Sequence, residues 1–209
     1  MIHLPEWLAQ QERHVTPLFE TAEDGLTVKT HLRGKEKPRL TLTRHPSFDA
    51  AMIEMVTAGL AEEDWQGFLY VLHTGEGDAL TPRYIGKAEK KGVKNPVSAN
   101  LARIASNHDK FGRWGYNKAY HIGDLSHAVL GAAFMPGQAP GKYHRWAEAL
   151  FETLNPPTLR VPVSMSLIPW RDGARGPSGL IGSLAAVEYE VIALAAVAYP
   201  EELLNVQGR

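Results

Sequence analysis

Gly67-Phe68-Leu69-Tyr70-Val71-Leu72-His73, followed after a polar loop by Arg83-Tyr84-Ile85-Gly86-Lys87, decides how this chain is read. The first stretch is an apolar run of strand length, and the second is a shorter run set between charges. Gly75, Gly77 and Pro82 punctuate the segment between them. Together they predict two antiparallel strands joined as a hairpin with a long loop.

On the N-terminal side, residues 4–12 read as a short helix. Leu26 to Leu32 and Arg39 to Thr43 read as two strands around the turn-prone Gly34-Lys35-Glu36-Lys37-Pro38. Ser47 is placed to cap a helix from Phe48 to Leu60. On the C-terminal side, Ser98 is placed to cap a helix from Ala99 to Asn107. A further helix is expected from Lys142 to Leu154, stopping at Asn155-Pro156-Pro157. Leu159 to Trp170 reads as a strand, and the glycine-rich Gly173–Gly182 loop leads to Ser183, the expected cap of a last helix. The fold class is therefore α/β of the α+β type: a small three-stranded antiparallel sheet flanked by helices. Residues 1–66 form an N-terminal ββα extension, and residues 67–209 form the main domain with a helical insert at about 109–158.

Composition bounds the function. Across 209 residues, 44% are hydrophobic and 22% charged, as in an ordinary globular protein. The absence of cysteine excludes disulfides, cysteine-ligated zinc and thiol catalysis, and suits a reducing cytoplasm. Met1 to Gln11 lacks the basic and apolar regions of a leader. Leu184 to Tyr199 is apolar but short, and it carries Glu188 and Glu190, so it reads as a buried helix and no membrane partner is expected. The formal net charge of −1 hides a patch. From Arg83 to Lys118 there are nine basic residues against Glu89 and Asp109, a local charge of +7. Lys90, Lys91, Lys94, Lys110 and Arg113 belong to it, and a run of this kind suits a polyanion such as DNA, with RNA left open. A solvated lysine-rich loop is the plain alternative.

The order Gly67…Tyr70, Tyr84-Ile85-Gly86, Arg103 and a later glutamate resembles the motifs of the GIY-YIG nuclease family, over residues 67 to 205. The resemblance implies a metal-dependent endonuclease that hydrolyses phosphodiester bonds of DNA, using Mg2+ or Mn2+. It implies roles for Tyr70, Tyr84 and Arg103, a metal ligand on a later helix, and an asparagine after that helix, here Asn205. The interval from Gly86 to Arg103 is longer than the family's usual one, which requires the lysine-rich segment to be an insertion. A family histidine one turn after the arginine has its nearest counterpart in His108, one residue off register. His121, in Tyr120-His121-Ile122-Gly123, is read as packing.

The chemistry needs a positioned water, charge stabilisation on phosphate, and help for the leaving oxygen. Two tyrosines on adjacent strands are suited to hold that water, provided that cations such as Lys87 and Arg103 lower their pKa. Arg103 is suited to fork onto phosphate oxygens. Two glutamates compete as the metal ligand. Glu148 is favoured by spacing from Arg103 but lies outside its helix's apolar stripe. Glu188 lies within the stripe Leu184, Val187, Val191, Ala195, Ala198, where an unpaired carboxylate is costly. Glu188 is preferred, with Glu148 kept as the alternative. A catalytically silent nucleic-acid-binding module is the main rival reading, and an enzyme of unrelated chemistry the third.

Overall fold

The computed structural model describes residues 4–36 and 38–206. Lys37, within the turn expected between the first two strands, lies outside the described residues, as do residues 1–3 of the N-terminal stretch and residues 207–209.

In chain order the elements are α1 (Leu4–Gln10), β1 (His14–Pro17), β2 (Thr30–Arg33), β3 (Arg39–Leu42), α2 (Pro46–Ala61), β4 (Trp65–Thr74), β5 (Thr81–Glu89), α3 (His121–Leu130), α4 (Gly141–Leu150), β6 (Phe151–Leu154), β7 (Pro157–Leu159), β8 (Val163–Arg171) and α5 (Leu184–Ala198). The hairpin is present as β4–β5, and the strand expected near 160–170 is β8. The central sheet is antiparallel with order β1-β8-β4-β5. It has four strands where three were expected. The fourth, β1, comes from the opening segment and pairs with β8 from His14↔Leu167 to Pro17↔Ser164, covering what would otherwise be an open edge. β2–β3 and β6–β7 form separate two-stranded ribbons.

The pleat sorts the side chains into two cores. Phe68, Tyr70, Leu72, Ala88, Met165 and Leu167 face one side and pack with residues of α2, α3 and α4. Leu69, Val71, Ile85, Ile168 and Trp170 face the other and pack under α1 and α5. Tyr70 stands opposite Gly86 and Tyr84 opposite Leu72, so the two phenols share the first face. Gly86 has a steric reason to be glycine: a Cβ there would lie 2.5 Å from the Tyr70 hydroxyl oxygen. The Tyr70 ring therefore lies across the β5 backbone.

Several elements differ from expectation. Residues 99–106 form consecutive turns where a helix to Asn107 was expected. Ala102 N–H reaches Ser98 O at 2.9 Å, one helical turn, but Arg103 then adopts φ 59°, which ends it. Only Leu101 and Ile104 anchor this stretch in the core, too few for a sustained apolar stripe. The helix expected through Leu154 stops at Leu150. Phe151 turns into β6, packs on Phe19 at 6.0 Å between ring centroids, and starts a ladder with β7. α2 begins at Pro46 with His45 as its cap, whose Nδ1 accepts from Ser47 N–H at 3.1 Å. α5 is capped as expected, Ser183 Oγ accepting from Ala186 N–H at 3.2 Å. Among the described residues no helix is long and apolar enough to cross a membrane.

Candidate active site

β5 is an edge strand, and a cavity of about 300 Å³ lies against it. Tyr84, Ile85, Lys142, Glu188, Tyr189, Ile192, Asn205 and Val206 line it. Two residues selected separately in the sequence, Tyr84 on the hairpin and Glu188 on α5, thus share one space. Tyr84 comes from the α4 side of the sheet, and Glu188 from the α5 side. Lys87, on β5, places Nζ 3.9 Å from Glu188 Oε2 and 2.8 Å from Glu89 Oε1.

Lys142 joins them from the first turn of α4, whose buried residues Tyr143, Trp146, Ala147 and Leu150 fix its orientation. Its Nζ donates to the Tyr84 hydroxyl at 3.1 Å and lies 4.3 Å from the Tyr84 ring centroid. The sequence reading did not single out Lys142. The available signal was a cation next to an aromatic stripe, in Lys142-Tyr143-His144-Arg145-Trp146.

An aromatic cluster backs the cavity. The Tyr70 ring meets Trp114 edge-on at 5.4 Å, and His121 stacks on Trp146 at 5.4 Å. Tyr70 is 2% exposed, so its hydroxyl faces protein. It shares a hydrogen bond of 3.0 Å with His121 Nε2, while His121 Nδ1 shares one of 2.9 Å with the Tyr143 hydroxyl. A neutral imidazole has one donor and one acceptor, so one phenol donates to the ring and the other accepts from it. His121, read from the sequence as packing, is buried in the aromatic cluster and also joins two buried phenols.

The cavity's charges are strained by burial. Desolvation lowers the Lys142 pKa to about 8, with Arg113 and Arg145 pushing the same way. Burial raises Glu188, Glu89 adds to the rise, and Lys87 only partly opposes it. Burial, then the Glu188 charge, raises Tyr84, with Arg113 opposing. Burial raises Tyr70 well above the usual phenol range and holds His121 well below the usual imidazole range. The phenols are thus harder to deprotonate than free tyrosine, opposite to what the sequence reading required of them.

The remaining candidates separate. Arg103 is exposed on a turn. Arg113, exposed at φ 76° at the end of a short 3₁₀ turn, is a cation whose charge acts on Tyr70, Tyr84, Tyr143 and Lys142 and, after Lys142, on His121. His108 lines a different cavity, of about 720 Å³, where its Nδ1 is 3.2 Å from the buried Arg44 guanidinium and 3.6 Å from Asp49. Glu148 is exposed on α4, beside Arg160 in another cavity. Lys91, Lys94 and Lys110 are exposed, whereas Lys90 Nζ donates to Glu62 O. Asn205 is buried and bonds Ile85 twice, its Oδ1 accepting from Ile85 N–H at 2.9 Å and its Nδ2 donating to Ile85 O at 2.8 Å. Leu204 N–H reaches Arg83 O at 2.7 Å. The segment after α5 thereby satisfies outward backbone groups of Arg83 and Ile85 and forms one wall of the cavity.

Among the described residues, no three His, Cys, Asp or Glu side chains are grouped to hold a metal ion. Among the described residues, Glu188 is the one carboxylate lining the cavity. A half-buried carboxylate with a raised pKa is a suitable donor for a hard cation that keeps most of its water, as Mg2+ does. No family model, curated protein or solved structure matches the chain.

Proposed function

We propose that the protein is a metal-dependent DNA endonuclease of the GIY-YIG type, with RNA as the less favoured substrate. The observation carrying this reading is the meeting of Tyr84, Lys142 and Glu188 around one cavity at the hairpin edge. Glu188 would hold Mg2+ or Mn2+, which when bound neutralises charge on the scissile phosphate.

The chain's own residues then act as follows. Tyr84 orients the attacking water. As the water oxygen bonds to phosphorus, its proton passes to the Tyr84 oxygen, and the phenol proton passes to the neutral Lys142 amine; the bond to the leaving oxygen breaks, its electron pair stays on that oxygen, and the oxygen takes a proton from solvent water. Lys142 is the group suited to receive a proton, because its pKa of about 8 leaves a neutral fraction near physiological pH. Arg113 supplies positive charge beside the phenols. Tyr70 is a positioning residue, holding its ring beside Tyr84 and bonded to His121.

The raised phenol pKa values favour a second reading, a silent DNA-binding module on the same scaffold. Incubation with plasmid, linear and single-stranded DNA, with and without Mg2+ or Mn2+, separates the two. Metal-dependent cleavage by the wild type, lost in Glu188→Gln with DNA binding retained, supports the enzyme. Binding without cleavage under every metal condition supports the silent module.

A further inference from the structure

We propose that Tyr189 and Val206 form a stacking lip for an unpaired nucleobase, so that the DNA engaged at this cavity is single-stranded, frayed or bulged. The proposal rests on the nuclease reading of the same cavity and specifies its substrate.

Tyr189 follows Glu188 on α5, and its side chain is 61% exposed, while Val206 is 59% exposed. Both line the cavity that holds Tyr84, Lys142 and Glu188. Exposed large apolar side chains elsewhere are aliphatic; among the described residues Tyr189 is the aromatic one, and no other ring or cation is stacked on it. Ile192, buried one turn further along α5, supports the lip from below. A phenol ring with open faces beside a phosphate-binding cavity is the usual platform for single-stranded nucleic acid, because every base presents a π-face.

An unpaired base is selected on two grounds. A base inside a duplex has both faces covered by its neighbours, so it reaches Tyr189 only after leaving the stack. The cavity, about 300 Å³, is at the small end for a ligand pocket and suits one base or one hydrated phosphate, not a duplex. Stacking also needs no charge, which suits a lip next to the Glu188 carboxylate. The phosphate attached to the stacked nucleotide would lie beside Lys142, the cation that lines the same cavity.

The test measures binding with chelator present, so it does not depend on cleavage. The probes are oligodeoxythymidylate, its duplex with oligodeoxyadenylate, and that duplex carrying a short thymidine bulge. Wild type is expected to prefer the strand and the bulge over the regular duplex. Tyr189→Ala should weaken binding to strand and bulge by about 5- to 100-fold, change duplex binding less than about twofold, and be largely rescued in Tyr189→Phe. Equal losses on all three probes, or none, would overturn the lip. So would sedimentation showing that Tyr189→Ala merely turns a dimer into a monomer. If the strand preference holds but no metal supports cleavage, the lip stands and the nuclease reading fails. If metal-dependent cleavage occurs without this preference, the nuclease reading stands and the lip fails.

Discussion

Two polar cavities border the aromatic cluster, and they handle charge in opposite ways. Trp114 links them: its ring packs on Tyr70 and His121, and its carbonyl accepts from Arg44 at 2.7 Å. In the larger cavity, opposite charges are matched. Arg44 Nε meets Asp49 Oδ1 at 2.8 Å, its guanidinium lies 4.2 Å from both the Phe111 and Tyr116 ring centroids, and Arg33 pairs with Asp109 at 2.8 Å. In the smaller one, Lys142 has a phenol as its hydrogen-bond partner, and Glu188 has a lysine 3.9 Å away that is closer to Glu89. Size would point to the first cavity. Charge balance points to the second, because groups held away from their preferred protonation states gain most when a ligand arrives. The matched cavity braces the 98–117 segment, and the mismatched one is where the proposed function places the chemistry.

The sharpest way to break this contrast is Lys142→Met. Cleavage should fall by about 10²–10⁴-fold, the scale of a lost proton acceptor. The wild-type rate should climb with pH and level off above about 8 as the amine loses its proton, and the variant should lack that limb. Stability should move the other way. A lysine whose folded pKa is below its unfolded value opposes folding below pH 8, and this opposition fades as pH rises toward the unfolded pKa. The variant should therefore unfold at higher urea concentration near neutral pH. A variant with a full rate and the wild-type pH profile would remove Lys142 from the mechanism.

Arg44→Ala probes the matched cavity and should show the complementary pattern. Asp49 would lose its buried partner, costing about 3–5 kcal/mol in urea unfolding. The fraction that stays folded should keep a near-normal cleavage rate per molecule. A rate loss exceeding the loss of folded protein would show that the larger cavity takes part in the reaction.

The smallest effect concerns neither cavity. Lys91→Ala with Lys94→Ala removes two exposed charges of the basic run. DNA affinity should fall similarly for all sequences, and the slope of log affinity against log salt should flatten by about two units at most. An unchanged slope would identify the run as a solvated loop.

What was legible in the sequence follows the range of the forces involved. The hairpin, the Ser183 cap and the apolar setting of Glu188 are local, and each could be read from neighbours a few residues away. Gly86 was legible through its motif, although its reason, the Tyr70 ring across its Cα, needs the paired strand. Arg103 was misplaced because Ser98 and the Leu101/Ile104 spacing imitate a helix start, and nothing local reveals the left-handed residue that ends it. Arg113 was read as a DNA contact, while its charge acts on the phenols through a fold formed by distant segments. Lys142 was missed for the same reason, since its partner Tyr84 is 58 residues away. The fourth strand escaped because His14–Pro17 is four residues long and becomes a strand only against β8.

The closure of β5 by Leu204 and Asn205 has a consequence for solution behaviour. An edge strand with free amides and carbonyls is a template for strands of other molecules. The Asn205 carboxamide acts as a one-residue strand, giving Ile85 the donor and acceptor that a neighbouring chain would otherwise offer. Loss of that side chain would leave the monomer's cores intact and expose an adhesive rung, so the defect would emerge with concentration, as association between molecules.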